Sequence, residues 1–171
     1  MRLNFRKGLP IIMKLLFVQP SSKQIQKIVS LVKEKLENIT VEVWEATKRP
    51  VTCAEIRNAK ADLLVNFNLS GFEQSTLTDG ISYNLLDCKQ IHILLKAGLP
   101  NEKYLAKQLS ISMFFYCASF DYCSYLRDRY ADIPYLRVIE GWKEEEDRAE
   151  ENAEILYGVI REVVKNCRMD L

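Results

Sequence analysis

The feature that most constrains this chain is an alternation of short apolar runs, each of strand length, with segments of helical periodicity. Residues 14–18 (KLLFV) form the first run, stopped by Gln19 and Pro20. Ser21 or Ser22 then offers an oxygen to cap a helix whose Ile25, Ile28, Val29, Val32 and Leu36 recur at helical spacing, with Asn38 closing it. Residues 40–46 (TVEVWEA) alternate apolar and polar positions as a half-buried strand does, and Thr52 caps a short helix over 52–59. Residues 61–67 (ADLLVNF) and 89–96 (KQIHILLK) supply two more strands, with a helix over 79–87 between them. Strands separated by helices pair in parallel, because each crossover returns the chain to the same end of the sheet, and helices then cover both faces.

The second half continues the pattern less regularly. Gly98 to Asn101 is turn chemistry, and Asn101 is placed to cap a helix running through 109. Residues 111–117 (ISMFFYC) read either as a fifth buried strand or as a continuation of that helix. An aromatic-rich helix over 119–130, Pro134 and an extended piece at 135–139 follow. A helix over 144–168 closes the chain, with Ala149, Ala153, Leu156, Ile160, Val163 and Val164 as its apolar stripe. Its acidic start at 144–147 and its Lys165 and Arg168 both complement the helix dipole.

The expected fold is therefore α/β, a three-layer α/β/α sandwich with a mainly parallel five-stranded sheet of the flavodoxin-like or Rossmann-like kind, in strand order 2-1-3-4-5. The 171 residues fit one domain, placed at 13–171 behind an extension at 1–12. Met13 is an alternative start, because MKLLFV opens the first element. Basic residues precede an apolar stretch there, but Pro10 and Lys14 interrupt it and no small-residue cleavage site follows, so a secretion signal is not expected. No run approaches the ~20 apolar residues that span a bilayer, and the expectation is a cytoplasmic protein without membrane partners.

Charge and metal-ligand content exclude more than they identify. With 24 basic against 23 acidic residues the net charge is +1, which gives no reason to expect nucleic acid as a partner. The five cysteines lie scattered, mostly in apolar runs, and read as free thiols; Cys117 and Cys123 lack the spacing of a redox or zinc pair. A single histidine, His92, rules out a His-rich metal site, and its position inside a strand reads as packed and hydrogen-bonded. No metal site is expected, and no cofactor is identified.

Strand order 2-1-3-4-5 places the topological switch point between the first and third strands, where ligands of open α/β sheets bind beyond the carboxyl ends. The flanking loops are 19–22 and 66–80. The first contains no glycine, so it does not resemble a phosphate-cradling turn, and neither a Walker A nor a dinucleotide fingerprint occurs. The architecture resembles that of response-regulator receivers, which need an acidic pair after strand one, an aspartate ending strand three and a lysine after strand five. Here the corresponding places hold Gln19 and Asn66 or Asn68, and no lysine follows Cys117, which rejects phosphorelay chemistry. The architecture also resembles one half of a two-domain glycosyltransferase, whose second half this chain does not contain.

The loop after the third strand is longer than the usual two to six residues and rich in hydroxyls and amides. Gln19, Ser21, Ser22, Asn66, Asn68, Ser70, Thr76 and Thr78 are the ligand-binding candidates, and Glu73 is the candidate general acid/base or ribose-hydroxyl acceptor. The expected function is binding of a small polar ligand, a nucleotide, nucleoside or sugar derivative, with a transferase or hydrolase acting on a glycosidic bond as its enzymatic form. The alternative is a non-enzymatic interaction or dimerisation module built on the aromatic-rich region 114–142, with a second copy or another protein as partner.

Overall fold

The computed structural model describes residues 13–49, 51–72, 83–106 and 108–169, excepting the side chains of Leu85 and 167–169. Six parallel strands form one sheet: β1 (Met13–Gln19), β2 (Ile39–Glu45), β3 (Leu63–Phe67), β4 (Lys89–Leu94), β5 (Met113–Cys117) and β6 (Leu136–Val138), in spatial order β2-β1-β3-β4-β5-β6. The expected order 2-1-3-4-5 is observed with one strand added at the edge. Four α-helices lie among the described residues: α1 (Lys23–Lys35), α2 (Cys53–Ala59), α3 (Phe120–Arg129) and α4 (Ala149–Met169).

Local chemistry starts each of the first three helices. Ser22 Oγ accepts from the Ile25 amide at 3.4 Å, Thr52 Oγ1 from that of Glu55 at 3.2 Å and Ser119 Oγ from that of Tyr122 at 3.3 Å. Such caps satisfy amides that have no partner within the helix. Strand alternation then divides the side chains between two cores. Leu15, Phe17, Val65, Phe67, Ile91 and Ile93 point to the face covered by α1 and α4. Leu16, Val18, Leu64, Leu94, Phe115 and Cys117 point to the face covered by α2 and α3. The sheet is thus buried on both sides, which explains why β3 and most of β4 show apolar runs instead of alternation.

Several boundaries differ from the sequence reading. The extended piece at 135–139 is a sixth strand, joined to β5 through the Phe115 amide on Tyr135 O and the Ile139 amide on Cys117 O. It starts after Pro134, which has no amide to give a ladder. β5 begins at Met113, and Ile111, at 87% exposed, lies outside it. The helix expected from Asn101 is a 3-10 helix, Pro100–Tyr104, preceded by Leu99; Asn101 instead donates from Nδ2 to Leu69 O at 3.0 Å, bracing the loop after β3. The last helix begins at Ala149 behind a 3-10 turn, Glu146–Arg148. Of the helix expected over 79–87, residues 79–82 lie outside the described residues and Tyr83–Leu85 is a 3-10 turn. The extension at 1–12 also lies outside them.

The aromatic-rich region is largely core. Phe115, Tyr116 and Tyr122 are buried, Phe114, Tyr130, Tyr135 and Trp142 are half-buried, and Phe120 and Tyr125 are exposed. Among the described residues no helix is long and apolar enough to cross a membrane.

One connection positions the site. α4 leaves the edge strand β6 yet packs on α1, so the segment between β6 and α4 crosses the carboxyl end of the sheet. Gln24 at the start of α1 donates from Nε2 to Glu144 O at 3.2 Å and Glu145 O at 2.9 Å. Asn152, fully buried on α4, accepts from the Lys143 amide at 2.9 Å and donates to Lys143 O at 2.6 Å.

Candidate functional site

These contacts close a cleft of about 390 Å³ at the switch point, lined by Pro20, Ser21, Ser22, Gln24, Ile25, Asn68, Leu95, Lys96, Trp142 and Glu144. Its size falls in the range of small-molecule sites, roughly 300–1,000 Å³. Three βα connections and the crossing segment contribute: the β1 exit gives the serines, the β3 exit Asn68, the β4 exit Lys96, and the segment before α4 Trp142 and Glu144.

The β3 exit is conformationally unusual. Asn68 and Leu69 both have positive φ, 54° and 55°, followed by Gly71 at 86°. Asparagine tolerates the left-handed region, whereas leucine there costs roughly 1–2 kcal/mol. Leu69 is held by complete burial and by the Asn101 amide on its carbonyl. Asn68 is held by its own amide on Ile93 O and by its Oδ1, which accepts from the Leu95 amide, both at 2.8 Å. With Oδ1 engaged, Nδ2 has no partner among the described residues and is the group left for a ligand. A segment over-determined in strained geometry is the kind that recurs at binding sites.

Of the residues predicted from sequence, Ser21, Ser22 and Asn68 come together in the cleft. The Ser22 hydroxyl also caps α1, and the Ser21 hydroxyl is turned to the Glu45 carboxylate. Gln19 ends β1 beside Ser21, 6% exposed, with Oε1 lacking a partner among the described residues, but it does not line the cleft. Asn66 points to the opposite face of the sheet, where Nδ2 donates to Ser70 O at 2.7 Å. Ser70 uses its hydroxyl on Phe67 O at 2.7 Å, closing the turn. Both are therefore building parts of the loop, on the side away from the cleft. Glu73, Thr76 and Thr78 lie outside the described residues.

Sequence reasoning missed Gln24, Lys96 and Glu144, and noted Trp142 only as part of the aromatic-rich region 114–142, without placing it at this cleft. Their signal was available only in part: Lys96 follows directly on the fourth apolar run, but Trp142 and Glu144 arrive from the far edge of the sheet through the packing of α4 on α1.

The electrostatics favour a ligand that accepts hydrogen bonds. α1 has no acidic residue in its first turn, so the partial positive charge of its amino end is not offset there, and Lys96 adds a cation. Glu144 is the one carboxylate of the described cleft wall. No cysteine is among the described residues of the cleft wall; burial pushes the Cys88 thiol up to about 12 and raises that of Cys117 as well. His92 is fully buried in the other core and plays no part in the cleft, as its strand-interior position implied. Among the described residues no group of three or more His, Cys, Asp or Glu is placed to hold a metal ion. The chain matches no family model, no curated protein and no solved structure in the comparisons, so the functional reading rests on this geometry.

Proposed function

We propose that the protein binds a small, polar, ring-bearing ligand of the nucleoside, nucleotide or sugar type in the cleft at the switch point. The observation that carries this reading is the convergence of Ser21, Asn68 and Lys96 with the Trp142 ring in one cleft of about 390 Å³. A sugar or base ring stacks on the indole, its hydroxyls or carbonyls bond to Ser21 and Asn68 Nδ2, and an anionic substituent lies toward Lys96 and the start of α1. The glycine-free first turn argues for that looser anion contact in place of an enclosing phosphate cradle.

The enzymatic form, transfer or hydrolysis at a glycosidic bond, draws on a carboxylate in the cleft, and hydrolysis ordinarily on a pair. Glu144 lines the cleft and Glu73 is the second candidate. Glu144→Gln and Glu73→Gln would each abolish turnover of a nucleotide-sugar if that form holds. The rival interaction module draws its support from Phe120, 70% exposed on α3.

The test is a thermal-shift panel of nucleosides, nucleoside monophosphates, nucleotide-sugars and sugar phosphates. A binding member at a hundredfold excess over its Kd stabilises by about 3 kcal/mol, which at this chain length raises Tm by about 6–10 °C. It also changes tryptophan emission, since Trp142 lines the cleft while Trp44 is 5% exposed beneath Arg49. A flat panel, or a shift unchanged in Trp142→Ala and Lys96→Ala, contradicts the proposal.

A further inference from the structure

On the other side of the β4 exit lies a separate pocket of about 320 Å³, formed by Ala97, Gly98, Glu102, Asp121, Tyr122 and Tyr125. We propose that it binds an alkylammonium group, from a free amine or from a lysine side chain.

The anchor is Glu102, a residue only 8% exposed that still lines the pocket. Its carboxylate accepts from the hydroxyls of Tyr122 at 2.7 Å, Tyr125 at 3.2 Å and Tyr130 at 3.2 Å. Burial, and then the Glu102 bond itself, raise the Tyr122 hydroxyl above its ordinary range, so it stays protonated as a donor at neutral pH. Three phenols solvate a carboxylate but carry no charge. Among the described residues Glu102 enters no ion pair, and the adjacent Lys103 faces the Tyr104 ring, 5.1 Å from its centroid. Buried carboxylates are ordinarily paired with a cation, because an unbalanced charge in a poorly solvated place is costly.

The rest of the pocket suits an alkyl-bearing cation. Tyr122 and Tyr125 lie one turn apart on α3 with rings nearly parallel, 14° between planes and 6.0 Å between centroids. Aromatic faces attract ammonium groups, and the same faces bury an alkyl stem. Gly98, at φ +64°, forms the floor without a side chain, and a Cβ there would meet open space. Asp121 adds a second carboxylate to the lining.

The experiment is an NMR titration of the full chain, following the amides of 97–102 and 119–126 and the Tyr122 and Tyr125 rings. The probes are n-butylammonium, its neutral isostere 1-butanol, and N-acetyl-lysine methylamide. Binding of n-butylammonium at least tenfold tighter than 1-butanol, with shifts confined to these residues, is expected. Comparable binding of the lysine amide assigns the site to a lysine side chain, and its exclusion assigns it to a free amine. Glu102→Gln retains an acceptor for the phenols and removes the charge, and should weaken the ammonium at least tenfold while leaving the alcohol unchanged. Equal affinity for ammonium and alcohol, no shifts at Tyr122 and Tyr125, or an unaltered Glu102→Gln overturns the inference. Should that variant not fold, the ammonium-to-alcohol comparison on the native chain decides alone. Failure here leaves the cleft at Asn68 untouched, because the two sites share no residue.

Discussion

His92 has no exposed surface and stacks on Phe115 at 5.0 Å, with the ring edges of Phe72 and Tyr83 around it. Gln90 donates from Nε2 to Tyr83 O at 2.8 Å, so its Oε1 is left to accept, and the imidazole carries its proton on Nε2 at 2.9 Å from it. Among the described residues Nδ1 has no partner, and neither has Oδ1 of Asn66, the neighbouring residue across the β3–β4 register. Burial alone lowers the His92 pKa from 6.5 to about 3. A depressed histidine means that the unfolded chain takes up a proton which the native chain refuses. Its contribution is fully present above pH 6.5 and is lost as pH falls toward 3, at about 1.4 kcal/mol per unit. Urea unfolding at pH 7.5 and pH 5 should therefore differ by about 2 kcal/mol from this residue. His92→Phe, which keeps a flat ring against Phe115, should be less stable at both pH values but lose that share of the pH dependence. An identical slope in both proteins would show that His92 is not held neutral by burial.

The connections that carry the site depend on two positions with separate physical duties. Gly71 sits at φ +86°, and a Cβ there would come within 2.8 Å of Val51 O and 2.9 Å of Val51 Cγ1. Gly71→Ala should cost about 2–4 kcal/mol in chemical denaturation, from strain and from a clash with backbone that cannot give way. Asn152 acts on the opposite wall, where both ends of its amide bind the Lys143 backbone. Asn152→Ala removes both hydrogen bonds to the Lys143 backbone, which are part-buried, and this costs about 1–2 kcal/mol and loosens the segment bearing Trp142 and Glu144. Its affinity for the cleft ligand should fall more than that of an equally destabilised variant in the α2–α3 core, such as Leu126→Ala. These two positions also mark how far the sequence could be read. The strands and the caps at Ser22, Thr52 and Ser119 were legible because periodicity and capping act within a few residues of one another. Asn152 read as an ordinary polar helix position, because its partner lies nine residues back in a loop whose course is set by packing. Asn66 and Asn68 looked alike in sequence, and alternation alone would put both on one face; the end of β3 at Phe67 and the positive φ of Asn68 separate them.

For the whole molecule, the central point is that a sheet of order β2-β1-β3-β4-β5-β6 closes a cleft at its switch point by sending the chain from the last strand back to the first helix. Parallel pairing followed from the strand–helix alternation, and order 2-1-3 with its switch point from the flavodoxin-like arrangement that such a pattern suggests. The returning segment did not, since β6 is only three residues long and nothing local states where α4 packs. The most direct measurement is amide and indole NMR shift mapping with the best ligand of the nucleoside, nucleotide and sugar panel. Shifts concentrated at Ser21, Ser22, Asn68, Lys96 and the Trp142 indole, all lost in Asn68→Ala that remains folded, are the predicted result. Shifts centred elsewhere on the chain, or no shift from any member at millimolar concentration, would contradict a ligand site at the switch point.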